Sequence, residues 1–521
     1  MTPINASEEL LKPALERGFD QRPALIVDGQ TISYAALASM ANRAGHAMRS
    51  LGVTHENRVL MILDDSAELV AAYLGTIRIG AVAIAFNTRC SAADLEFAIV
   101  DSRAQVLIIG AAMAPMYRTV APRLRARPHV VVVGGADAGA VNFDDLIARQ
   151  SNQLDPEPMS PDDMAFWIYT SGTTGTPKAA VHAHHDVLSA GPYLAECLGV
   201  RAGDRLFSTS RLFFAYALGN CLFGSMRLCA TTILHPQWPD AESVARIVEE
   251  TAPDIVFSVP TMYRNLIRTE HASQPGFAKV RAYASAGERL PPGLAEKWEQ
   301  TTGVRIFEGM GSSETIYMVF SNSPLAYRPG SSGKLAPGAE AMILDDQNNR
   351  ITEPGRVGAL RIRIGSTCDR YWNRREITRK AFFGSWLSTG DLYSFDEDGF
   401  WYQHGRADET FKVSGQWVSP IEIEDCIAGL PQILDAAAVG IAGREGLTEV
   451  MLAIVTHAPA SDRDRLAAEL RDLLRKKLAG YKCPREIRFV DQIPRTATGK
   501  VQRYKLREQL SSGVNAGDQR S

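Results

Sequence analysis

Between residues 24 and 235, short apolar runs alternate with longer amphipathic stretches, and this alternation limits the fold more than any other feature of the chain. ALIV (24–27), RVLMIL (58–63), AVAIAF (81–86), QVLIIG (105–110), HVVVVG (129–134) and TTILH (231–235) read as strands. YAALASMANRAGHAMRSLG and SAELVAAYLGTIRIG, lying between them, repeat apolar residues at three- and four-residue spacing and read as helices. Such alternation predicts βαβ units, and hence a parallel sheet covered by helices. DIVFSVP, RAYASAG, VRIFEG, AMILDD and ALRIRIG continue the series of strands. At 521 residues the chain exceeds what one hydrophobic core normally organises, so two or more domains are expected.

The pattern changes near residue 400. FWYQHGRADETFKVSGQWVSP reads as two short strands around a Gly-Arg connection and a Ser-Gly turn. A helix from Pro420, strands LDAAAVGIA and VMLAIVT, the charged helix DRDRLAAELRDLLRKKL and strand REIRFV follow, a small α+β unit of about one hundred residues. With 56 Lys+Arg against 59 Asp+Glu the net charge is -3, which gives no basic field for nucleic acid. The composition, 45% hydrophobic and 22% charged, excludes a mainly disordered chain. The N-terminus lacks a basic segment followed by an apolar one, and the apolar stretch 69–86 is broken by Thr76, Arg78 and two glycines. Neither reads as a signal or a membrane span, so the cytoplasm is the default compartment. Seven cysteines, odd in number and never in CxxC, argue against a disulfide framework or zinc site.

The strongest chemical signal is Thr170-Ser171-Gly172-Thr173-Thr174-Gly175-Thr-Pro-Lys178, directly after the apolar AFWIY. Two glycines admit an anion close to backbone N–H groups, the hydroxyls add donors, and the lysine adds charge. The pattern suits a polyphosphate, although it lacks the glycine spacing of a Walker A loop. Read blandly, it is a polar surface loop.

This loop resembles the phosphate loop of the adenylate-forming enzymes, the acyl- and aryl-CoA ligases among them, and further motifs follow in that family's order. Ser285-Ala-Gly287-Glu288-Arg-Leu resembles the segment against adenine. Gly309-Met310-Gly311-Ser-Ser313-Glu314 resembles the next nucleotide motif, whose Glu helps hold Mg²⁺. Ser388-Thr-Gly-Asp391 resembles the motif whose Asp grips the ribose hydroxyls. Gly405-Arg406-Ala-Asp408 resembles the ribose contact and interdomain hinge, the segment from Lys412 follows it, and Pro494-Arg-Thr-Ala-Thr-Gly-Lys500 resembles the C-terminal catalytic loop. The resemblance implies an α/β fold. A large N-terminal region of mixed and parallel sheets (1–407) would bind acid and nucleotide, and a small mobile α+β domain (408–521) would turn about Asp408. It further implies Lys500, Lys178 and Glu314 as catalytic residues. Such residues meet the need of the chemistry, which is to neutralise phosphate charge while a carboxylate, itself an anion, attacks. Ion pairs, helix caps and solvated surface are the bland alternatives for Arg406, Asp391, Glu314 and Lys500.

Met310 stands where many relatives carry an aromatic residue, and a thioether can fill that place against adenine. His182, His184 and His185 lack further convergent donors for a metal, so a surface or capping role is expected. Within RLFFAYALGN (211–220), small residues between aromatics can leave a flat slot for a ring. This segment resembles the benzoate-CoA ligase group, which implies Ala215, Tyr216, Gly219, Gly311 and Tyr317 as the substrate pocket. No acid lies between Arg211 and Asn220, which argues against an α-amino acid substrate. A Tyr317 hydroxyl suits a hydroxy- or aminobenzoate. The expected partners are an aromatic carboxylic acid, ATP with Mg²⁺, and coenzyme A, with neither nucleic acid nor membrane; a homodimer stays open. A carrier-protein thiol as acceptor is the close alternative, and an oxidative enzyme or a non-enzymatic nucleotide sensor are the remaining ones.

Overall fold

The computed structural model describes residues 2–135, 139–171, 177–428, 430, 432–443, 447–495 and 501–514. Two large sheets carry the N-terminal part. One holds nine strands, and its parallel centre runs Ile306–Gly311, Ala282–Ser285, Ile255–Ser258, Arg205–Ser208, Thr231–Leu234 and Pro23–Val27. The other holds eight, with Met164–Ser171, Val82–Ala85, Arg58–Ile62, Val106–Gly110 and His129–Val133 in parallel. Helices Ala6–Glu16, Tyr34–Ser50 and Ala67–Arg78 contribute to one buried cluster that also takes Leu25 from the first sheet and Val59 and Met61 from the second.

The near-continuous apolar strands of the opening pattern are therefore the buried parallel strands that the alternation predicts. A six-stranded antiparallel sheet follows, built on Glu340–Leu344, Gly358–Arg363 and Trp386–Phe395. The smaller C-terminal domain pairs Ile433–Ala442, Thr448–Thr456 and Glu486–Phe489, with helices Pro420–Ile427 and Arg463–Lys477 on its core.

One expectation needs correction. The stretch 400–420 forms three strands rather than two, and Gly405 and Arg406 end the strand Trp401–Arg406 instead of connecting strands. That strand pairs with Trp386–Phe395 and sets Asp391 opposite Arg406, a pairing with a strand that local pattern did not reveal. The Ser-Gly turn is present: Ser414 and Gly415 both have positive φ, as a tight two-residue hairpin requires.

Functional motifs follow the carboxyl ends of parallel strands. Thr170 and Ser171 end Met164–Ser171, Gly287 and Glu288 follow Ala282–Ser285, and Gly309 to Gly311 end Ile306–Gly311. In open α/β sheets such ends are where ligands bind.

Helices Tyr34–Ser50 and Ala67–Arg78 cross closely at Gly45 and Gly75. A Cβ on Gly75 would stand 2.4 Å from the Ala41 carbonyl oxygen and 2.7 Å from the Gly45 nitrogen. Gly75→Ala is expected to lower stability by about 1–3 kcal/mol, read as a lower urea midpoint at unchanged m-value.

Candidate active site

Three residues from distant parts of the chain meet beside the strand ends. Lys178, on the antiparallel strand Pro177–Ala183, stands 3.4 Å from Glu314 Oε1. Tyr371 donates its hydroxyl to the same oxygen at 2.6 Å, and the Lys178 ammonium lies 3.7 Å from the centroid of the Tyr371 ring. Burial pushes the Glu314 carboxyl up, but Lys178 and the Tyr371 hydroxyl outweigh it and hold the group below the ordinary carboxylate range. Burial, and then Glu314, push the Tyr371 phenol far up, so it stays a donor. The result is an ionised carboxylate in a site with little solvent.

The loop carrying Glu314 is tightly bracketed. A Cβ on Gly311 would stand 2.8 Å from the Tyr317 carbonyl oxygen, and one on Gly219 would stand 2.6 Å from the Ile316 carbonyl oxygen. Both positions exclude a side chain, so Gly219 and Gly311 pack directly on the turn before Tyr317. Ile316 adopts φ 55°, a strained conformation for a β-branched residue, of the kind that collects at functional sites. Tyr317 is buried, and its hydroxyl has no partner among the described residues.

Asp391 is mostly buried, lies 3.8 Å from Arg406 Nη1 and accepts from Gln403 at 3.4 Å. Arg406 also grips Asp408 through Nε at 2.9 Å and donates to the Thr389 carbonyl at 3.1 Å. Asp391, Arg406 and Asp408 thus form one chain of charge leading into the C-terminal domain.

Two more links cross to that domain. Arg495 bridges Glu288 at 2.9 Å and Asp435 at 2.8 Å, and Arg289 pairs with Asp425. Lys412, in the exposed hairpin, lies over the Trp417 ring. Gly172, Thr173, Thr174, Gly175 and Lys500 lie outside the described residues. Lys500 follows Arg495 by five residues, which bounds the distance between their Cα atoms at roughly 17 Å.

In the segment from Arg211 the aromatics divide. Phe213 is buried in the core beside Phe214 and Trp238, whereas Tyr216 is half-buried and meets the Phe257 ring edge-on. Ala215 and Gly219 are buried beside Tyr216, and Met310 is half-buried against the cluster around Phe320. Arg211 anchors the segment's start by donating to the Gln237 and Pro236 carbonyls at 2.7 and 2.6 Å. Asp65 accepts the Leu212 N–H at 3.1 Å; burial pushes its carboxyl up to about 6, with Arg211 opposing.

The histidines meet the expectation in part: His184 caps the first helix, but the surface placement does not hold. His182 and His184 are fully buried rather than at the surface. His184 accepts the Ala6 N–H, and burial pushes its imidazole down to about 4, so it is a neutral anchor for the first helix. His182 pairs with Asp186 through Nδ1 and donates from Nε2 to the Ser313 carbonyl. A cluster of polar residues after a loop reads as surface; the pairing of Pro177–Ala183 inside the eight-stranded sheet buries His182, and the first helix covers His184.

Residues 14–372 match the family model described as AMP-binding enzyme, and residues 422–500 match the AMP-binding enzyme C-terminal domain. The chain belongs to the AMP-binding enzymes. It is 44% identical to a 3-hydroxybenzoate–CoA ligase of Aromatoleum sp. (strain CIB), over 98% of each chain. It is 43% identical to a 3-hydroxybenzoate–CoA/4-hydroxybenzoate–CoA ligase of Thauera aromatica, again over 98% of each. Among solved structures it resembles the anthranilate CoA ligase AuaEII in complex with anthranoyl-AMP, with a TM-score of 0.93, 32% identity and 99% of each chain covered.

In this AMP-binding enzyme, sequence reasoning passed over Tyr371 and Arg495. Tyr371 sits in a two-residue strand paired with Ala180, and nothing local in RYW marks it. Arg495 was within a recognised motif, but its partners Glu288 and Asp435 lie far away in sequence.

Another buried acid, Glu308, stands in the strand Ile306–Gly311 and accepts the Leu290 N–H at 3.2 Å. Burial pushes its carboxyl up to about 8, against the Leu290 N–H and Arg289, which pull it down. The folded chain therefore keeps a proton that the unfolded chain releases above about pH 4.5. The stabilisation this confers is complete below about pH 4.5 and is lost as pH rises through about 8. Glu308→Gln is expected to remove a decline on the order of a few kcal/mol between pH 5 and pH 8, measured by urea denaturation at each pH.

Proposed function

We propose that this AMP-binding enzyme is an ATP-dependent aromatic acid:CoA ligase acting on a hydroxybenzoate. Whole-chain identity of 44% to a 3-hydroxybenzoate–CoA ligase supports the activity. The observation that carries the ring substituent is the buried Tyr317 hydroxyl, without a partner among the described residues, on a ring that lies against Gly219. A buried hydroxyl without a partner is costly, and a ring hydroxyl would supply one. An aminobenzoate offers the same complement. Asp65, the buried acid at the base of this segment, is occupied by Arg211 and the Leu212 N–H, which leaves it poorly placed for the ammonium of an α-amino acid substrate.

In the reaction, a carboxylate oxygen of the acid attacks the α-phosphorus of ATP in line. The bond to pyrophosphate breaks and an acyl-adenylate forms. The CoA thiol then attacks the acyl carbon, the thioester forms and AMP leaves. Thr170 to Gly175 cradle the phosphates, and Lys178 and Lys500 offset their charge. Gly287, Glu288, Gly309, Met310 and Ser313 flank the base, while Asp391 and Arg406 hold the ribose. The ionised Glu314 fits Mg²⁺, which commonly takes one carboxylate together with substrate phosphates and would there neutralise charge on the transferring group. The domain 408–521 presents Lys500 for adenylation and, turning about Asp408, brings the Lys412 hairpin in for thioester formation. The Arg495–Glu288 contact supports the adenylation orientation here, because it holds the base of the Lys500 loop against the nucleotide segment.

A panel of acids assayed for AMP release with and without CoA tests this reading. Hydroxybenzoates should lead, and release should need CoA; release driven instead by a carrier protein would overturn the acceptor. Tyr317→Phe should lower kcat/KM for the preferred hydroxybenzoate about tenfold while sparing benzoate. Lys500→Ala should reduce pyrophosphate release by about a hundredfold or more yet still convert supplied acyl-adenylate and CoA to thioester.

A further inference from the structure

Side chains alternate along the strand Pro177–Ala183, so Lys178, Ala180 and His182 share a face. Lys178 reaches the Glu314 carboxylate, and four residues on His182 reaches the preceding peptide: its Nε2 donates to the Ser313 carbonyl at 2.8 Å. Nδ1 of the same ring pairs with Asp186 Oδ2 at 2.7 Å. Asp186 is fixed in turn, since Oδ2 accepts the Ala183 N–H at 3.2 Å and Oδ1 lies 3.1 Å from His185 Nε2. The His182 ring is fully buried and stacks on Phe166, with centroids 4.9 Å apart and planes 8° from parallel. The Ser313 carbonyl can only accept, so Nε2 is the donor there, and the ring cannot turn without leaving a buried polar group unmet.

The peptide unit is planar, so holding the Ser313 C=O also sets the direction in which Glu314 leaves it. On the far side the Glu314 carbonyl accepts the Cys368 N–H at 2.8 Å, and the Thr315 carbonyl accepts the Ser366 hydroxyl at 2.6 Å. The next residue is the strained Ile316. A loop in such a conformation persists only where its surroundings over-determine it, and His182 supplies the anchor on the Lys178 side.

We propose that His182 is a positioning residue for adenylation: by holding the Ser313–Glu314 peptide it aims the Glu314 carboxylate, and it does so from the strand that also carries Lys178. The inference rests on the reading that Glu314 serves that step.

The test compares the two half-reactions in the full chain. Adenylation is followed by ATP–pyrophosphate exchange with 3-hydroxybenzoate, and thioester formation by supplying 3-hydroxybenzoyl-adenylate and CoA. His182→Phe keeps the ring stack and removes both ring nitrogens, whereas His182→Gln restores an N–H toward Ser313. His182→Phe should lower kcat for exchange about tenfold or more, with KM for the acid and the thioester half-reaction changed by less than about twofold. His182→Gln should recover exchange to within about threefold of the unsubstituted enzyme. Normal exchange in His182→Phe, equal losses in both half-reactions, or no gain from Gln over Phe would each overturn the proposal. Should His182→Phe fail to fold, His182→Asn, too short to reach Ser313, takes its place against His182→Gln under the same criteria. Glu314→Gln separates the premise from the inference. If it exchanges normally, the role of Glu314 falls and that of His182 with it; if it fails while His182→Phe is normal, only the role of His182 falls.

Discussion

The pairing of Lys178 with Glu314 is the contact on which the site depends. A carboxylate removed from water stays ionised only where charge and hydrogen bonds replace the lost solvation. Here one ammonium and one phenol do so at a single oxygen. Such a pair is poor evidence for stability, because desolvation offsets much of the attraction. Its consequence is electrostatic: a fixed negative group and a fixed positive group stand side by side, an arrangement that the proposed polyphosphate ligand would redistribute.

Making that pair brings three parts of the chain together. Glu314 and Tyr371 are separated by 57 residues, and Ser313 and His182 by 131. The eight-stranded sheet supplies Lys178 and Tyr371 through the antiparallel addition of Pro177–Ala183 and Arg370–Tyr371 to its parallel centre. The nine-stranded sheet supplies Glu314 from the turn after Ile306–Gly311. The site therefore lies where two sheets face each other, and neither sheet could build it alone.

How much of this was legible depended on distance along the chain. Parallel strands announce themselves locally, because burial on both faces leaves continuous apolar runs such as VLIIG and VVVV. Glycine-rich and hydroxyl-rich turns after such strands are equally local, which is why Thr170, Gly287, Gly309 and Gly311 were readable. What escaped was set by pairing across the fold. Tyr371 has meaning only because it pairs with Ala180, and Arg406 became part of a strand only because Trp386–Phe395 lies beside it. His182 and His184 looked solvated because polar residues in sequence carry no mark of the elements that cover them. The extra strand at 411–413 and the strain at Ile316 likewise come from contacts rather than composition.

The links to the C-terminal domain carry a consequence of their own. Glu288 and Arg289 are neighbours of opposite sign, and each meets a partner of the opposite sign, Arg495 and Asp425. Two such pairs act as a polarity key. A domain displaced so that the partners exchanged places would set Arg289 against Arg495 and Glu288 against Asp425, like against like on both counts. The key thus distinguishes one seating from its near neighbours while contributing only weakly to holding it, since partly exposed pairs are screened by salt. The proposed turning of this domain about Asp408 is well served by contacts that discriminate more than they bind.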